Sequence, residues 1–142
     1  MGLGSLLFGF RGRIRRTTYW VASIGVGIAL GVIGVILVTI AAGLGFANTN
    51  LGDESRAADF GGLAVVWLIP VYLVGFWVSL ALGVKRCHDR NYPGVVILLA
   101  WIPILGWLWA LIDLGFIDGT PGPNQYGPSP KGIAAPAAAA AA

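Results

Sequence analysis

Val84-Lys85-Arg86-Cys87-His88-Asp89-Arg90-Asn91-Tyr92-Pro93-Gly94 is the densest polar stretch after residue 16, and it lies between two long apolar runs. It contains the only His and the only Cys of the chain, with both signs of charge beside them. Apolar runs of this length are candidate membrane spans. The stretch between them therefore reads as a loop at a membrane surface, and the rest of the chain is placed relative to it.

Upstream, Phe60 to Val84 carries no Asp, Glu, Lys or Arg. A helix needs about 20 residues to cross about 30 Å of hydrocarbon, so a span over 60–84 is expected, bent at Pro70. Gly75, Ser79 and Gly83 recur every fourth residue. Such a small-residue row lets a second helix approach closely. It packs either against another span of this chain or against a partner. Thr17 to Gly52 is also free of charge and predicts a first span over 19–46. Tyr19 and Trp20 stand at its start, where aromatic rings favour the headgroup level. Gly27, Gly31 and Gly34 share one face, the first two at GxxxG spacing. Between the spans, 47–59 reads as a short acidic loop, with Asp59 as a cap for the next helix.

Ahead of the first span, Leu3, Leu6, Leu7, Phe10 and Ile14 fall at helical spacing, with Arg11, Arg13, Arg15 and Arg16 beside them. This predicts a short interfacial amphipathic helix with its charges among lipid phosphates. The following apolar run is longer than the roughly 7–15 residues of a signal-peptide core, so an uncleaved first span is expected.

Downstream, the third apolar run over 95–116 is interrupted by Ile102-Pro103 and Gly106, and it concentrates Trp101, Trp107 and Trp109. It reads as a single Pro-kinked span. The alternative is a re-entrant hairpin turning near Pro103–Gly106, each arm too short to cross. Residues 118–128 are turn chemistry throughout, and 132–142 is an Ala-rich tail. The expected architecture is all-α: one integral-membrane domain over 1–131, with three transmembrane helices behind the interfacial helix.

Composition agrees. Of 142 residues, 57% are hydrophobic and 11% charged, against about 25% charged in soluble domains. The basic residues flank apolar spans instead of lining a soluble face, which argues against nucleic acid as a partner. Arg11, Arg13, Arg15 and Arg16 precede the first span, and Lys85, Arg86 and Arg90 follow the second. The 47–59 loop has one Arg against Asp53, Glu54 and Asp59. The positive-inside rule then puts the N-terminus and the 85–92 loop in the cytoplasm.

Catalytic chemistry is sparse. One His cannot build a His₂ or His₃ metal site, and adjacent Cys87 and His88 cannot complete a tetrahedral one. No Gly-rich phosphate loop or GxSxG is present. No catalytic, cofactor or metal residue is assigned, and the expectation is a protein that is not an enzyme. Asp89 can accept from His88 or Arg86, leaving Arg86 and Arg90 to grip a lipid phosphate. Arg11, Arg13, Arg15, Arg16, Arg86, His88, Asp89 and Arg90 are accordingly the candidate lipid or partner contacts. Asp113 closes the third run; an acid at membrane depth is a functional candidate, and an interfacial depth is its simpler reading.

Four motifs carry a resemblance. Phe10-Arg11-Gly12-Arg13-Ile14-Arg15-Arg16 ending in Tyr19-Trp20, Lys85-Arg86-Cys87-His88-Asp89-Arg90, Ile102-Pro103-Ile104-Leu105-Gly106-Trp107, and Gly119-Thr120-Pro121-Gly122-Pro123-Asn124-Gln125-Tyr126-Gly127-Pro128 together resemble the YhaH-like family, domain of unknown function 805 (DUF805). Cys87 stands where that family usually has Leu, and Tyr92-Pro93-Gly94 where it often has Ser-Gly-Trp. The resemblance covers the chain to about Lys131. It implies a small bacterial inner-membrane protein with no assigned activity and no catalytic residue to carry over. The functional expectation is an accessory or scaffold subunit, with membrane lipids and other integral-membrane subunits as partners. A homo-oligomeric transporter or channel and a lipid-acting enzyme using His88, Asp89 and Asp113 are the alternatives. The enzyme requires the hairpin form of the third run, because a full span would put Asp113 opposite His88.

Overall fold

The computed structural model describes residues 2–47 and 54–133, the side chains of 44–47 and 54–64 excepted. Of the expected acidic loop over 47–59, residues 48–53 lie outside the described residues and 54–59 are helical; of the expected Ala-rich tail over 132–142, residues 134–142 lie outside them. The elements are α1 (Leu3–Phe8), α2 (Arg16–Ala47), α3 (Glu54–Asp89), a 3₁₀ arm (Gly94–Trp101), α4 (Leu105–Trp109) and a π-helical turn (Ala110–Phe116). Among the described residues there is no named strand, only a lone bridge between Asn124 and Gly127.

Two of these helices are long and apolar enough to cross a membrane: Arg16–Gly43 with 28 residues and Val65–Asp89 with 25. At 1.5 Å per residue these are about 42 Å and about 37 Å long, more than a hydrocarbon core requires. Pro70 sits inside α3 without ending it. Helix α3 also begins at Glu54, so Asp59 lies within the helix and is not its cap. Hydropathy marked Phe60 as the start, but Arg and Ala at 56–58 are good helix formers in any solvent.

Helix α1 is shorter than the apolar periodicity suggested. It ends at Phe8, so Phe10 and Ile14 leave its face. Gly9 turns the chain away there: a Cβ at that position would stand 2.9 Å from the Ser5 carbonyl oxygen.

The third apolar run is not one helix. The 3₁₀ arm runs to Trp101, the chain turns through Ile102-Pro103-Ile104, and α4 with its π-helical continuation runs back. The turn is tight. Ile104 has φ 66 and ψ −66, and the Leu105 amide donates to the Pro103 carbonyl at 2.8 Å, a γ-turn. Pro103 has no amide to satisfy, and the Gly106 amide reaches the Ile102 carbonyl at 2.9 Å. Gly106 lies flat against the Leu99–Ala100 backbone, where any Cβ would collide with the Leu99 carbonyl. The geometry is the hairpin alternative, not the expected Pro-kinked span. The reason is local: Pro103 and Gly106 disfavour a continuous helix, and a β-branched residue at positive φ completes the reversal.

The chain divides into two compact units, Met1–Ile24 with Val78–Ala142 and Gly25–Trp77. In the second unit, α2 and α3 meet through their small residues: Leu30 stands 3.0 Å from a Cβ built on Gly75, and Leu68 3.5 Å from one on Gly34. In the first, Val78, Ala81, Leu82, Cys87 and Leu114 form a small buried core.

Candidate functional site: a buried polar knot

The first unit collects the charged motifs of the sequence at one place. Asp89, in the last turn of α3, accepts from two arginines. Arg13 reaches it with Nε at 3.1 Å and Nη2 at 3.0 Å, and Arg86 pairs with its other oxygen. All three side chains are buried. Two cations on one carboxylate is a strongly charge-assisted arrangement.

Arg13 is the hub. Its Nη1 donates to the carbonyls of Gly122 (2.8 Å) and Gly127 (3.2 Å), and its Nη2 to the Thr120 carbonyl (2.8 Å). The Pro/Gly loop over 119–128 is thus wrapped around one guanidinium. The loop is held from the other side by Asn124, whose Nδ2 donates to the His88 carbonyl at 2.9 Å and to Thr120 Oγ1 at 3.0 Å. The Thr120 amide donates to the Asp89 carbonyl at 2.8 Å. His88 stacks on Tyr126, with ring centroids 3.9 Å apart and planes 8° from parallel. Gly119 passes so close to the Asp89 carboxylate that no Cβ fits between them.

The returning arm of the hairpin ends at the same place. A helix end leaves its last carbonyls without amide partners. Here four consecutive carbonyls are met by side-chain donors: Leu114 by Arg86 Nε (2.6 Å), Gly115 by Trp20 Nε1 (3.1 Å), Phe116 by Arg16 Nη1 (3.1 Å) and Ile117 by Arg86 Nη2. Positive charge at a helix C-terminus also offsets the macrodipole. Asp113 is buried and paired with Arg90 at 3.0 Å, and Arg90 further donates to the Asp118 carbonyl at 2.7 Å. Burial pulls the Arg90 guanidinium down, but the hydrogen bond and charge of Asp113 outweigh it and hold its pKa above the ordinary value.

The end of α3 shapes the knot. The Asn91 amide bonds the His88 carbonyl (3.0 Å) and the Tyr92 amide the Cys87 carbonyl (2.9 Å), with Asn91 at φ 63. This is a Schellman closure with Asn in the left-handed position. Lys85, one turn earlier and fully buried, donates to the Ser5 and Leu6 carbonyls and so ties α1 down.

Of the candidate contacts, Arg13, Arg86 and Asp89 are therefore turned inward, and Arg90 is committed to Asp113. His88 lies against Tyr126, with Nδ1 3.3 Å from the Gly12 carbonyl. Arg11, Arg15 and Arg16 remain at the surface. No buried side-chain polar atom among the described residues lacks a partner. The hairpin brings Asp113 into the same unit as His88 and Asp89, yet both carboxylates are consumed by arginines. The arrangement offers charge-locking of four chain segments, not a free acid or base. Sequence reasoning missed Arg13 as the hub and Thr120 and Asn124 as participants. The signal available was Gly12 beside Arg13, whose φ of 93 turns the chain and separates Arg13 from its exposed neighbours.

Of the small-residue faces, Gly83 is filled by Ile97 of the 3₁₀ arm, which stands 2.5 Å from a built Cβ. Gly27 and Gly31 have nothing within 4 Å. They open onto a cavity of about 610 Å³ in the second unit, lined also by Leu30, Val71, Tyr72 and Phe76.

Residues 7–128 match the family described as Protein of unknown function (DUF805). The chain belongs to that family. This DUF805 chain is 35% identical to inner membrane protein YhaH of Escherichia coli strain K12 over 123 residues, 87% of this chain and 88% of the relative. It is 32% identical to inner membrane protein YhaI of the same strain over 124 residues, covering 87% and 86%. It is also 30% identical to the E. coli protein YiiR, covering 89% of each. No solved structure matches. The DUF805 match begins six residues before Arg13 and ends with the loop that encloses it, so Arg13, Asp89 and that loop all lie within it.

Proposed function

We propose that this protein is a multi-pass inner-membrane protein that serves as an accessory or scaffold subunit against a larger membrane complex, with lipids and other integral-membrane subunits as partners. The inner-membrane assignment follows the names of its relatives and the two helices of spanning length. The carrying observation for the scaffold role is a contrast between the two polar and apolar surfaces. Each carboxylate of the knot is ion-paired internally, so no reactive set faces outward, whereas Gly27 and Gly31 present a close-packing face with nothing on it. In lipid, small residues admit another helix backbone.

The proposed topology has α2 and α3 crossing and the 94–116 hairpin entering from the side of the knot and returning to it. The N-terminus, residues 85–92 and the segment after Phe116 are then all cytoplasmic, and α1 lies at the same interface. A transporter is disfavoured by the spans themselves, where the described polar side chains are few and Thr39 is bonded to the Val35 carbonyl.

Extraction of tagged protein from its native membrane in mild detergent, followed by native gel and mass spectrometry, tests the role. Stoichiometric co-migration with a larger complex is expected, and Gly31→Leu should release it. A lone homo-oligomer would remove the accessory reading.

A further inference from the structure

The knot divides the cations of the first unit into two groups. Arg13, Lys85 and Arg86 are buried and Arg90 is half-buried, all directed at internal acceptors. A second set lies at the surface and converges. Arg16 Nε is 3.3 Å and Lys131 Nζ 2.9 Å from the same Asp118 oxygen, and all three side chains are more than 40% exposed. Arg15 donates through Nε to the Pro130 carbonyl, one residue from Lys131. Two cations thus share one exposed carboxylate, and a third is tied to the backbone beside them. Both Nη groups of Arg15, Nη2 of Arg16 and the remaining ammonium protons of Lys131 have no acceptor among the described residues.

Position adds to the charge. Arg16 is the first residue of the stretch long and apolar enough to span, and Trp20 lies one turn inside it. A helix N-terminus contributes further positive potential, and the first turn of α2 has no acid. If α2 crosses the bilayer, the Arg15–Arg16–Lys131 patch stands at the level of lipid phosphates.

We infer that Arg15, Arg16 and Lys131 form a binding site for the phosphate of an anionic phospholipid headgroup in the cytoplasmic leaflet, with Asp118 as the internal anion that competes for it. The inference rests on the membrane placement proposed above, but not on the accessory role. Arg15 and Arg16 offer forked donors suited to phosphate oxygens, and Lys131 a point charge. Asp118 holds the cations in place and sets the affinity by occupying two of them.

The test uses the full-length protein in phosphatidylcholine nanodiscs, titrated with short-chain phosphatidylglycerol and read by native mass spectrometry. Phosphatidylglycerol should be retained over added short-chain phosphatidylcholine. A basic residue near the surface contributes about fivefold, so Arg15→Gln and Lys131→Gln should each lose about fivefold. Asp118→Asn should gain about fivefold, because it frees Arg16 and Lys131. Arg11→Gln removes an exposed cation of the same segment outside the patch and should change little. Equal losses for Arg11, Arg15 and Lys131 would replace the site with diffuse attraction and overturn the inference. So would weaker binding by Asp118→Asn, or displacement of the lipid by inorganic phosphate at equal concentration, which would make this a free-anion site. Failure of the chain to enter nanodiscs would remove the membrane placement itself, an outcome distinct from incorporation without lipid selectivity.

Discussion

Asp89 shows at the scale of one residue how the knot works. Its carboxylate is the sole anion between two buried guanidiniums, with a side chain 4% exposed. Removing one partner of a buried pair leaves uncompensated charge, at a cost of about 3–5 kcal/mol. Asp89→Asn should lower stability by about that amount, measured by equilibrium unfolding in mixed micelles. Asp118 is the contrasting case. Its pKa is held below the ordinary carboxylate value by the Lys131 hydrogen bond, against slight burial and with help from Arg16. A depressed folded pKa means that the stabilising contribution is complete above the unfolded value and is lost as pH falls through the folded one. Carboxyl-resolved NMR should find Asp118 titrating below a free Asp, and Lys131→Met should move the midpoint upward. An unchanged midpoint in the variant would show that the Lys131 contact does not form.

At the scale of elements, the hairpin depends on a residue without a side chain. Gly106 lies against the Leu99 carbonyl, so Ala there must push the two arms apart. Overpacking of this kind costs about 1–3 kcal/mol. Gly106→Ala should destabilise the protein by that order in the same unfolding measurement, while Gly27→Ala, which meets nothing within 4 Å, should leave it unchanged. Equal effects would mean that the arms are not in contact. The interruption at 102–106 was legible in the sequence from Pro103 and Gly106. Which way the chain goes after it was not, because a kinked span and a hairpin share the same residue types. Four donors from distant positions, Arg16, Trp20 and Arg86 twice, decide it by capping carbonyls 114–117.

For the whole molecule, the hairpin bears on the membrane side proposed for the segment after Phe116. In the proposed topology, with α2 and α3 crossing and the third run re-entrant, the segment after Phe116 lies with the N-terminus. A C-terminal fluorescent-protein fusion should fluoresce in the cytoplasm, and the corresponding alkaline phosphatase fusion should be inactive. The reverse pattern would require a third crossing and would separate Arg13 from the loop that encloses it.

Hydropathy and charge asymmetry are properties of contiguous sequence. They sufficed for the helical class, for α2 and α3, for the turn chemistry of 118–128 and for the family resemblance carried by the four motifs. Small-residue spacing is visible in the sequence too, but it does not say which positions are filled: Gly75 meets Leu30, Gly83 meets Ile97, and Gly27 and Gly31 meet nothing within 4 Å. What tertiary structure alone decided is the use of the charges. Arg11, Arg13, Arg15 and Arg16 look equivalent in sequence, yet Arg13 is a buried hub and the others face outward. The physical reason is that an ion pair depends on where backbones meet. Asp89 lies 76 residues from Arg13, and the carbonyls that complete its cage more than 100. No local period encodes that meeting; it exists once the hairpin has folded back.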